Sequence, residues 1–211
     1  MIDPELAEYA KNHTSAESPV LRDLNRETHL KMLFPRMLAG HTQGKLLEFL
    51  SSMIKPMSIL EIGTYTGYSA ICLSKGLGKG GMIYTIEKMP EHEDIINRYF
   101  EKAAVNGKVK LYIGDAIDII PCITVDFDLI YIDADKENYL NYYNLVFDKL
   151  KSGGFIIADN ALWNGKVLSG SNSADRETKG IMEFNDHVHQ DPRVENLLLP
   201  FRDGLMLIRK L

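Results

Sequence analysis

The chain has 211 residues, 45% of them hydrophobic and 25% charged, with a formal net charge of −5. This length suits one well-buried α/β domain spanning 1–211, and the negative charge argues against a protein that coats nucleic acid. No apolar run reaches the roughly 18 residues of a membrane span and the polar start is unlike a signal peptide, so we expect a cytoplasmic protein with no membrane partner.

The first predicted elements are two helical stretches, at about 17–36 and 43–55. The second begins after a candidate N-cap residue, Thr42, and stops before Pro56, because the residue before a proline disfavours helix. Both precede the strand-like part of the chain, so we expect them to cover one edge of a sheet.

Five short apolar runs then alternate with helical stretches. The runs are rich in Ile, Leu and Tyr without strict alternation, which is typical of strands covered on both faces of a parallel sheet. Strand followed by helix, repeated, predicts a doubly wound sheet with right-handed crossovers. We expect the strands at 58–64, 81–88, 109–115, 127–135 and 153–160, and the intervening helices at 67–77, 91–105, 116–120 and 136–151.

The last part of the chain has a different pattern. Two apolar runs, 193–201 and 205–211, flank the dipeptide Asp203-Gly204, which is a hairpin turn signal. The parallel sheet is therefore expected to end in an antiparallel pair. The stretch 161–178 is rich in Gly, Ser and Asn, which favours a mobile flap.

The segment ILEIGTYTGYSA, residues 59–70, predicts a ligand-binding turn. Gly63 and Gly67 would form the turn from the first strand into the first helix, where backbone approaches a ligand closely. The G-x-G-x-x-G pattern of dinucleotide enzymes is absent, because tyrosines stand where it needs glycines. Glu61 would repel a pyrophosphate and attract a cationic ligand.

The next strand ends predict the rest of that ligand. Glu87 closes the second strand, 24 residues after Gly63, where a carboxylate can accept both hydroxyls of a ribose. Asp115 and Ala116 follow the third strand and suit an adenine edge. Ser69 can bond the carboxylate end of the ligand, or serve only as a helix-start hydroxyl. A ligand that has a ribose and an adenine, no pyrophosphate and a cationic tail is S-adenosylmethionine.

A second group of polar residues predicts a cation site. Asp133 ends the fourth predicted strand, and Asp159 and Asn160 end the fifth. Adjacent parallel strands lie about 4.8 Å apart, so these oxygens can converge on one ion. Carboxylate and amide oxygens suit Mg²⁺, or else Ca²⁺ or Mn²⁺, and not zinc. The alternative is a set of solvated strand-end acids that cap the following helices.

With these motifs in place, the sequence resembles the cation-dependent O-methyltransferases, which include caffeoyl-CoA O-methyltransferase and, more distantly, catechol O-methyltransferase. The resemblance covers nearly everything from residue 37 to 211. It rests on EIGTYTGYSA (61–70), Glu87, GDA (114–116), YIDADKENY (131–139) and IADNALWNGKV (157–167).

The resemblance implies a fold and an assembly. The fold is α/β: a Rossmann-like, seven-stranded, mostly parallel, doubly wound sheet that ends in an antiparallel hairpin. An N-terminal helical cap, 1–56, would lie on a core formed by 57–211. The assembly implied is a homodimer.

The resemblance also implies roles for individual residues. Asp133, Asp159 and Asn160 match the metal ligands, and Asp133 also belongs to the donor-binding and catalytic groups. Lys136 matches a lysine able to take a phenolic proton, against the alternative of pairing with its acidic neighbours. Trp163 would wall the acceptor pocket, or simply pack, and Met37 would contact the donor from the cap.

The function expected is S-adenosylmethionine-dependent and divalent-cation-dependent O-methylation of a small aromatic vicinal diol by metal-assisted direct displacement. The main rival is methylation of a hydroxyuridine in tRNA by the same chemistry. A nicotinamide dehydrogenase and a metal-free adenosine-binding module are the alternatives from other classes. The chain departs from the plant enzymes at Ala39 and Gln43, where they carry Thr and Glu, so caffeoyl-CoA is not assumed as the acceptor.

Overall fold

Seven strands form one mixed sheet in a computed structural model that describes residues 4–169 and 175–211. The strands are β1 (Ser58–Ile62), β2 (Met82–Glu87), β3 (Val109–Ile113), β4 (Phe127–Ile132), β5 (Leu150–Asp159), β6 (Val194–Leu199) and β7 (Leu205–Lys210). The α-helices are α1 (Pro4–Asn12), α2 (Pro19–Lys31), α3 (Gly40–Ile54), α4 (Tyr68–Ser74), α5 (Glu93–Lys102), α6 (Ala116–Ile119), α7 (Tyr139–Phe147) and α8 (Arg176–Gln190).

The strand order is β3-β2-β1-β4-β5-β7-β6. The first five strands pair in parallel, whereas β7 runs antiparallel to both β5 and β6. The predicted seven-stranded α/β sheet with an antiparallel end is therefore confirmed. Chain order reverses between β1 and β4, and such a reversal opens a crevice beyond the carboxyl ends of the strands.

Both faces of the sheet are covered, which explains the unbroken apolar runs. All five residues of β1 are buried. Ile59 belongs to the core on the side of α2 to α5, whereas Leu60 and Ile62 belong to the core on the side of α6 to α8. Successive side chains of a strand point to opposite faces of the sheet, so burial of both faces requires a helical layer on each side.

Three predicted helix boundaries are wrong. The first helical stretch, predicted to reach about 36, ends at Lys31. Helix α3 begins at Gly40 with Ala39 as its N-cap residue, and not after Thr42. The helix predicted over 136–151 is shorter, because β5 starts at Leu150, where it pairs with Phe127 across a register shift. Long-range strand pairing overrides the local helical pattern there.

The stretch 161–178 lies partly outside the described residues, which omit 170–174. Its first part forms 3-10 turns over Trp163–Ser169, and its end enters α8. The Asp175 side chain caps α8 by accepting a hydrogen bond from the Thr178 N–H at 2.8 Å. Within 4–169 and 175–211, no helix is both long and apolar enough to cross a membrane.

Gly63 places the end of β1 directly against the end of β4. Its φ is +98°, and a Cβ there would overlap the backbone carbonyl of Asp133. Gly80 also has a positive φ, +81°, but nothing lies within 4 Å of its Cβ position. Both glycines have a backbone conformation that L side chains disfavour, and they differ in the space around the Cβ position.

We expect Gly63→Ala to lower the free energy of unfolding by about 3 kcal/mol or more, because it adds a steric clash to the cost of left-handed backbone. Gly80→Ala is the matched control and should cost about 1 to 2 kcal/mol, the backbone term alone. Urea denaturation of both variants measures the difference. Equal losses would show that contact with Asp133 does not restrict position 63.

Candidate active site

A cavity of about 980 Å³ lies beyond the carboxyl ends of β1, β2, β4 and β5, at the reversal of strand order. Residues from the cap, the glycine turn and the strand tips line it together. Ten of the residues singled out from the sequence line it: Met37, Gly63, Ser69, Glu87, Ala116, Asp133, Lys136, Asp159, Asn160 and Trp163. Glu61 and Asp115 do not line it.

The turn after β1 is fixed by backbone contacts. Gly63 donates its N–H to the Ile86 carbonyl at 3.0 Å. Tyr65 and Gly67 both have positive φ, at 52° and 90°, which bends the chain sharply into α4. The Tyr65 N–H donates to Glu87 Oε2 at 2.6 Å, so the turn and the tip of β2 hold each other in place.

Glu87 is 5% exposed and presents its carboxylate to the cavity. Its Oε1 accepts the Met89 N–H at 2.9 Å and lies 3.0 Å from His92 Nδ1. His92 also lines the cavity, although the sequence analysis did not single it out. Its position five residues after a strand-end acid was the available signal.

Glu61 lies beneath the turn and is completely buried. The Thr85 hydroxyl donates to its Oε2 at 2.5 Å, whereas Oε1 has no hydrogen-bond partner within the described ranges. Burial raises the pKa of Glu61 to about 7. A nearby cationic ligand would favour its charged form, because opposite charge lowers the pKa of a carboxyl group.

Asp115 has a structural role in addition to any contact with a ligand. Its side chain caps α6 by accepting the Ile117 N–H at 3.0 Å and forms an ion pair with Lys88 at 2.8 Å. Lys88 lowers the pKa of Asp115 accordingly. The neighbouring Ala116 is the residue that lines the cavity.

Asp133 and Asp159 stand at the ends of the adjacent strands β4 and β5, and Asn160 follows with φ of 58°. Burial, and next the nearby Asp133 carboxylate, raise the pKa of Asp159 to about 6. Among residues 4–169 and 175–211, no three His, Cys, Asp or Glu side chains gather as a metal-binding group. An ion held here would use two carboxylates and the Asn160 amide, with oxygens from water or substrate completing a hard-cation site.

Asp159 contacts one residue that the sequence analysis noted only as a departure. Gln43 is 2% exposed, and its Nε2 donates to Asp159 Oδ2 and to the Tyr131 hydroxyl, the latter at 3.0 Å. Gln43 Oε1 accepts a hydrogen bond from Arg202 Nη1 at 2.8 Å. Arg202 also lines the cavity, and nothing in the local sequence pattern marked it.

Lys136 is 7% exposed and pairs with Asp133. Its Nζ donates to Asp133 Oδ1 at 2.9 Å and to the Tyr139 hydroxyl at 2.7 Å. The partner is thus Asp133 and not Asp135 or Glu137. Asp135 instead accepts hydrogen bonds from other side chains of the same segment.

Trp163 forms one side of the cavity next to this pair. Its ring centroid lies 5.9 Å from Lys136 Nζ and 5.5 Å from Lys166 Nζ. Its indole Nε1 is buried and has no hydrogen-bond partner in the described part of the chain. The ring therefore offers both an aromatic face and an unused donor.

Comparison with known proteins gives one consistent family. The family described as "O-methyltransferase" matches residues 11–211. A caffeoyl-CoA O-methyltransferase of Petroselinum crispum is 32% identical over 206 residues, covering 92% of this chain and 85% of the relative.

Two solved structures are similar along the whole chain. The O-methyltransferase from Bacillus cereus, solved in complex with SAH, has a TM-score of 0.88 at 30% identity and covers 98% of this chain and 97% of its own. The O-methyltransferase TomG from Streptomyces achromogenes, solved with SAM, has a TM-score of 0.92 at 25% identity. The match covers 100% of this chain and 99% of TomG.

We expect the stability of the protein without ligand to fall as pH rises from about 4.5 to about 7, because folded Glu61 holds its proton more tightly than the unfolded chain does. Glu61 should account for about 3 kcal/mol of this loss, and Asp159, whose pKa is also raised, for a smaller further part. Glu61→Gln should remove most of the drop, as measured by urea denaturation at pH 5 and pH 8.

The exposed Glu195 provides a control for this experiment. Its side chain is 65% exposed and pairs with Arg209 on the sheet surface. Glu195→Gln should leave the difference between pH 5 and pH 8 unchanged. A drop that persists in full in Glu61→Gln would assign the pH dependence to another group.

Proposed function

The chain belongs to the O-methyltransferase family, and on that premise we propose that it methylates one hydroxyl of a small aromatic vicinal diol. The methyl donor is S-adenosylmethionine, and a divalent cation binds at Asp133, Asp159 and Asn160. The single observation that carries the proposal is that both strand-tip carboxylates line the same cavity as Gly63 and Glu87. A donor and an acceptor bound in this cavity would lie side by side.

The donor end of the cavity suits a nucleoside with a cationic tail. Glu87 presents a fixed carboxylate for the ribose hydroxyls, and Gly63 lets the donor lie against the backbone. Ser69 lines the cavity above the buried Glu61 carboxyl, which favours positive charge in that region. The complexes of the Bacillus and Streptomyces relatives with SAH and SAM support the same donor here.

The acceptor end suits a hard cation and two neighbouring oxygens. Asp133, Asp159 and Asn160 supply only oxygen ligands, which favours Mg²⁺, with Ca²⁺ or Mn²⁺ as alternatives. When bound, such an ion lowers the pKa of a coordinated phenol and fixes the position of its oxygens. The pKa of Asp159, raised by burial and next by the Asp133 carboxylate, supports the assignment, since a cation would favour the charged form of both groups.

We assign the removal of the acceptor proton to Lys136. Its Nζ lies between Asp133 and the Tyr139 hydroxyl, and burial keeps bulk water away from it. In its neutral form, after loss of its own proton to solvent, Nζ would take the hydroxyl proton as the oxygen forms its bond to the methyl carbon and the bond from sulfur breaks. Trp163 would pack against the aromatic ring and exclude water.

The charge around the cavity favours a small acceptor over tRNA. Phosphate contacts dominate tRNA affinity, so a tRNA enzyme needs a basic rim. Acids outnumber bases in this lining. The acids are Glu87, Asp133, Asp135, Asp159, Glu177 and Asp203, and the lysines and arginines are Arg36, Lys88, Lys136 and Arg202. The proposal also includes a homodimer, as the family resemblance implies, and the cytoplasmic location expected from the sequence.

Methyl transfer from labelled S-adenosylmethionine to a catechol should fall at least about 100-fold with EDTA and return with Mg²⁺, because two carboxylates alone cannot bring a diol to the donor. An acceptor panel of ortho-diphenols, matched monophenols and unmodified tRNA identifies the substrate class. Activity unaffected by EDTA would remove the cation from the mechanism. Salt-sensitive methylation of tRNA alone would favour the rival substrate.

Asp159→Ala should lower kcat at least about 100-fold while the Kd for S-adenosylmethionine changes less than about threefold, because Asp159 serves the acceptor end. Calorimetry and single-turnover kinetics separate the two effects. Asp186→Ala, at an exposed acid on α8, is the control and should change neither. Parallel loss of donor binding and turnover in Asp159→Ala would assign that residue a structural role.

A further inference from the structure

We propose that Arg202 is a positioning residue that acts through Gln43 to orient the carboxylate of Asp159. Arg202 lies in the loop between β6 and β7, and Gln43 lies in the first turn of α3. The inference rests on the proposed role of Asp159 as a cation ligand. It assigns a purpose to two residues that the resemblance to methyltransferases left without one.

The three side chains form one continuous hydrogen-bonded chain. Arg202 Nη1 donates to Gln43 Oε1 at 2.8 Å, and Gln43 Nε2 donates to Asp159 Oδ2. Arg202 Nη1 also donates to the Ala39 carbonyl, the N-cap residue of α3. Arg202 therefore fixes both the start of the helix and the side chain that the helix directs at the strand tip.

Arg202 determines which way the Gln43 amide faces. A guanidinium group has only hydrogen-bond donors, so it can bond only to the carbonyl oxygen of the amide and not to its NH₂ group. The amide nitrogen must then face Asp159 and the Tyr131 hydroxyl, where it donates to both. Without Arg202, a rotated amide would place its oxygen against the buried carboxylate, which is repulsive.

The orientation of Gln43 in turn selects which Asp159 oxygen remains open. Oδ2 accepts from Gln43 and from the Tyr131 hydroxyl at 3.2 Å, which uses both of its lone pairs. Among the described residues, the one hydrogen bond that Oδ1 accepts comes from the Asn160 N–H, at 2.7 Å. One lone pair of Oδ1 is left for a cation, beside the Asn160 side chain.

The charge of Arg202 supports a positioning role. Within residues 4–169 and 175–211, Arg202 forms no ion pair, and both acceptors of its Nη1 are neutral oxygens. Arg209, on the same hairpin, shows the ordinary alternative, an exposed ion pair with Glu195 at 3.2 Å. The competing role for the Arg202 charge is to bind an acidic group of the methyl acceptor.

The test measures Mn²⁺ binding by calorimetry and electron paramagnetic resonance, without donor or acceptor, in the full-length protein. Residues that orient metal ligands commonly contribute about 10- to 100-fold to metal affinity. We expect Mn²⁺ to bind at least about 10-fold more weakly in Gln43→Met and in Arg202→Ala. Arg202→Lys should recover part of the affinity, because its ammonium group can donate to the Gln43 carbonyl oxygen. Arg209→Ala is the matched control and should bind Mn²⁺ as the wild type does.

A double-mutant cycle distinguishes positioning from a general structural effect. If Arg202 acts through Gln43, Arg202→Ala should weaken Mn²⁺ binding no further in the Gln43→Met background. Additive losses would overturn the inference, as would unchanged Mn²⁺ binding in Arg202→Ala. Thermal unfolding of each variant shows whether weaker Mn²⁺ binding accompanies a general loss of stability, such as the lost contact with Ala39 would cause. A loss of Mn²⁺ affinity that follows the fall in Tm would also contradict the proposed route.

Steady-state kinetics on a carboxylated and a neutral catechol complete the test. Positioning predicts that Arg202→Ala lowers kcat for both acceptors to a similar extent. A rise in KM for the carboxylated acceptor alone, with Mn²⁺ binding intact, would overturn the inference in favour of anion recognition. Failure of the wild type to bind Mn²⁺ would refute the proposed cation site itself, whereas the other adverse outcomes leave that site standing.

Discussion

The close approach of Gly63 to the backbone of Asp133 is the constraint on which the site depends. A side chain at position 63 would overlap the Asp133 carbonyl, and the Asp133 N–H donates to the Ile62 carbonyl at 2.9 Å. The turn that would receive the donor and the strand tip that would hold the cation therefore share one contact. Their spacing is set by backbone geometry, which is stiffer than any side-chain arrangement.

Charge at the strand tips is balanced only in part. Lys136 pairs with Asp133, whereas Asp159 has neutral donors around it and a pKa raised to about 6. Glu61, behind the turn, has an unpartnered oxygen among the described residues and a pKa raised to about 7. A cation beside either carboxyl group would favour its charged form, Asp159 in the cavity wall and Glu61 behind the turn, which suits a metal ion and a sulfonium donor.

The O-methyltransferase family explains the general architecture, and particular residues adapt it in this chain. Gln43 stands where the plant enzymes carry Glu, and it contacts Arg202 and Asp159 together. A neutral amide at this place needs a donor to fix its orientation, and Arg202 supplies it.

The sequence by itself determined the parallel strands, the glycine turn and the acids at the strand ends, because apolar runs buried on both faces and φ-permissive glycines are local signals. Only the tertiary structure decided where α3 begins, where α7 gives way to β5, and that His92, Gln43 and Arg202 belong to the site. Gln43 lies 116 residues from Asp159 and 159 residues from Arg202 in the chain. Contacts at such separations depend on how the layers pack, and no local pattern of residue types encodes them.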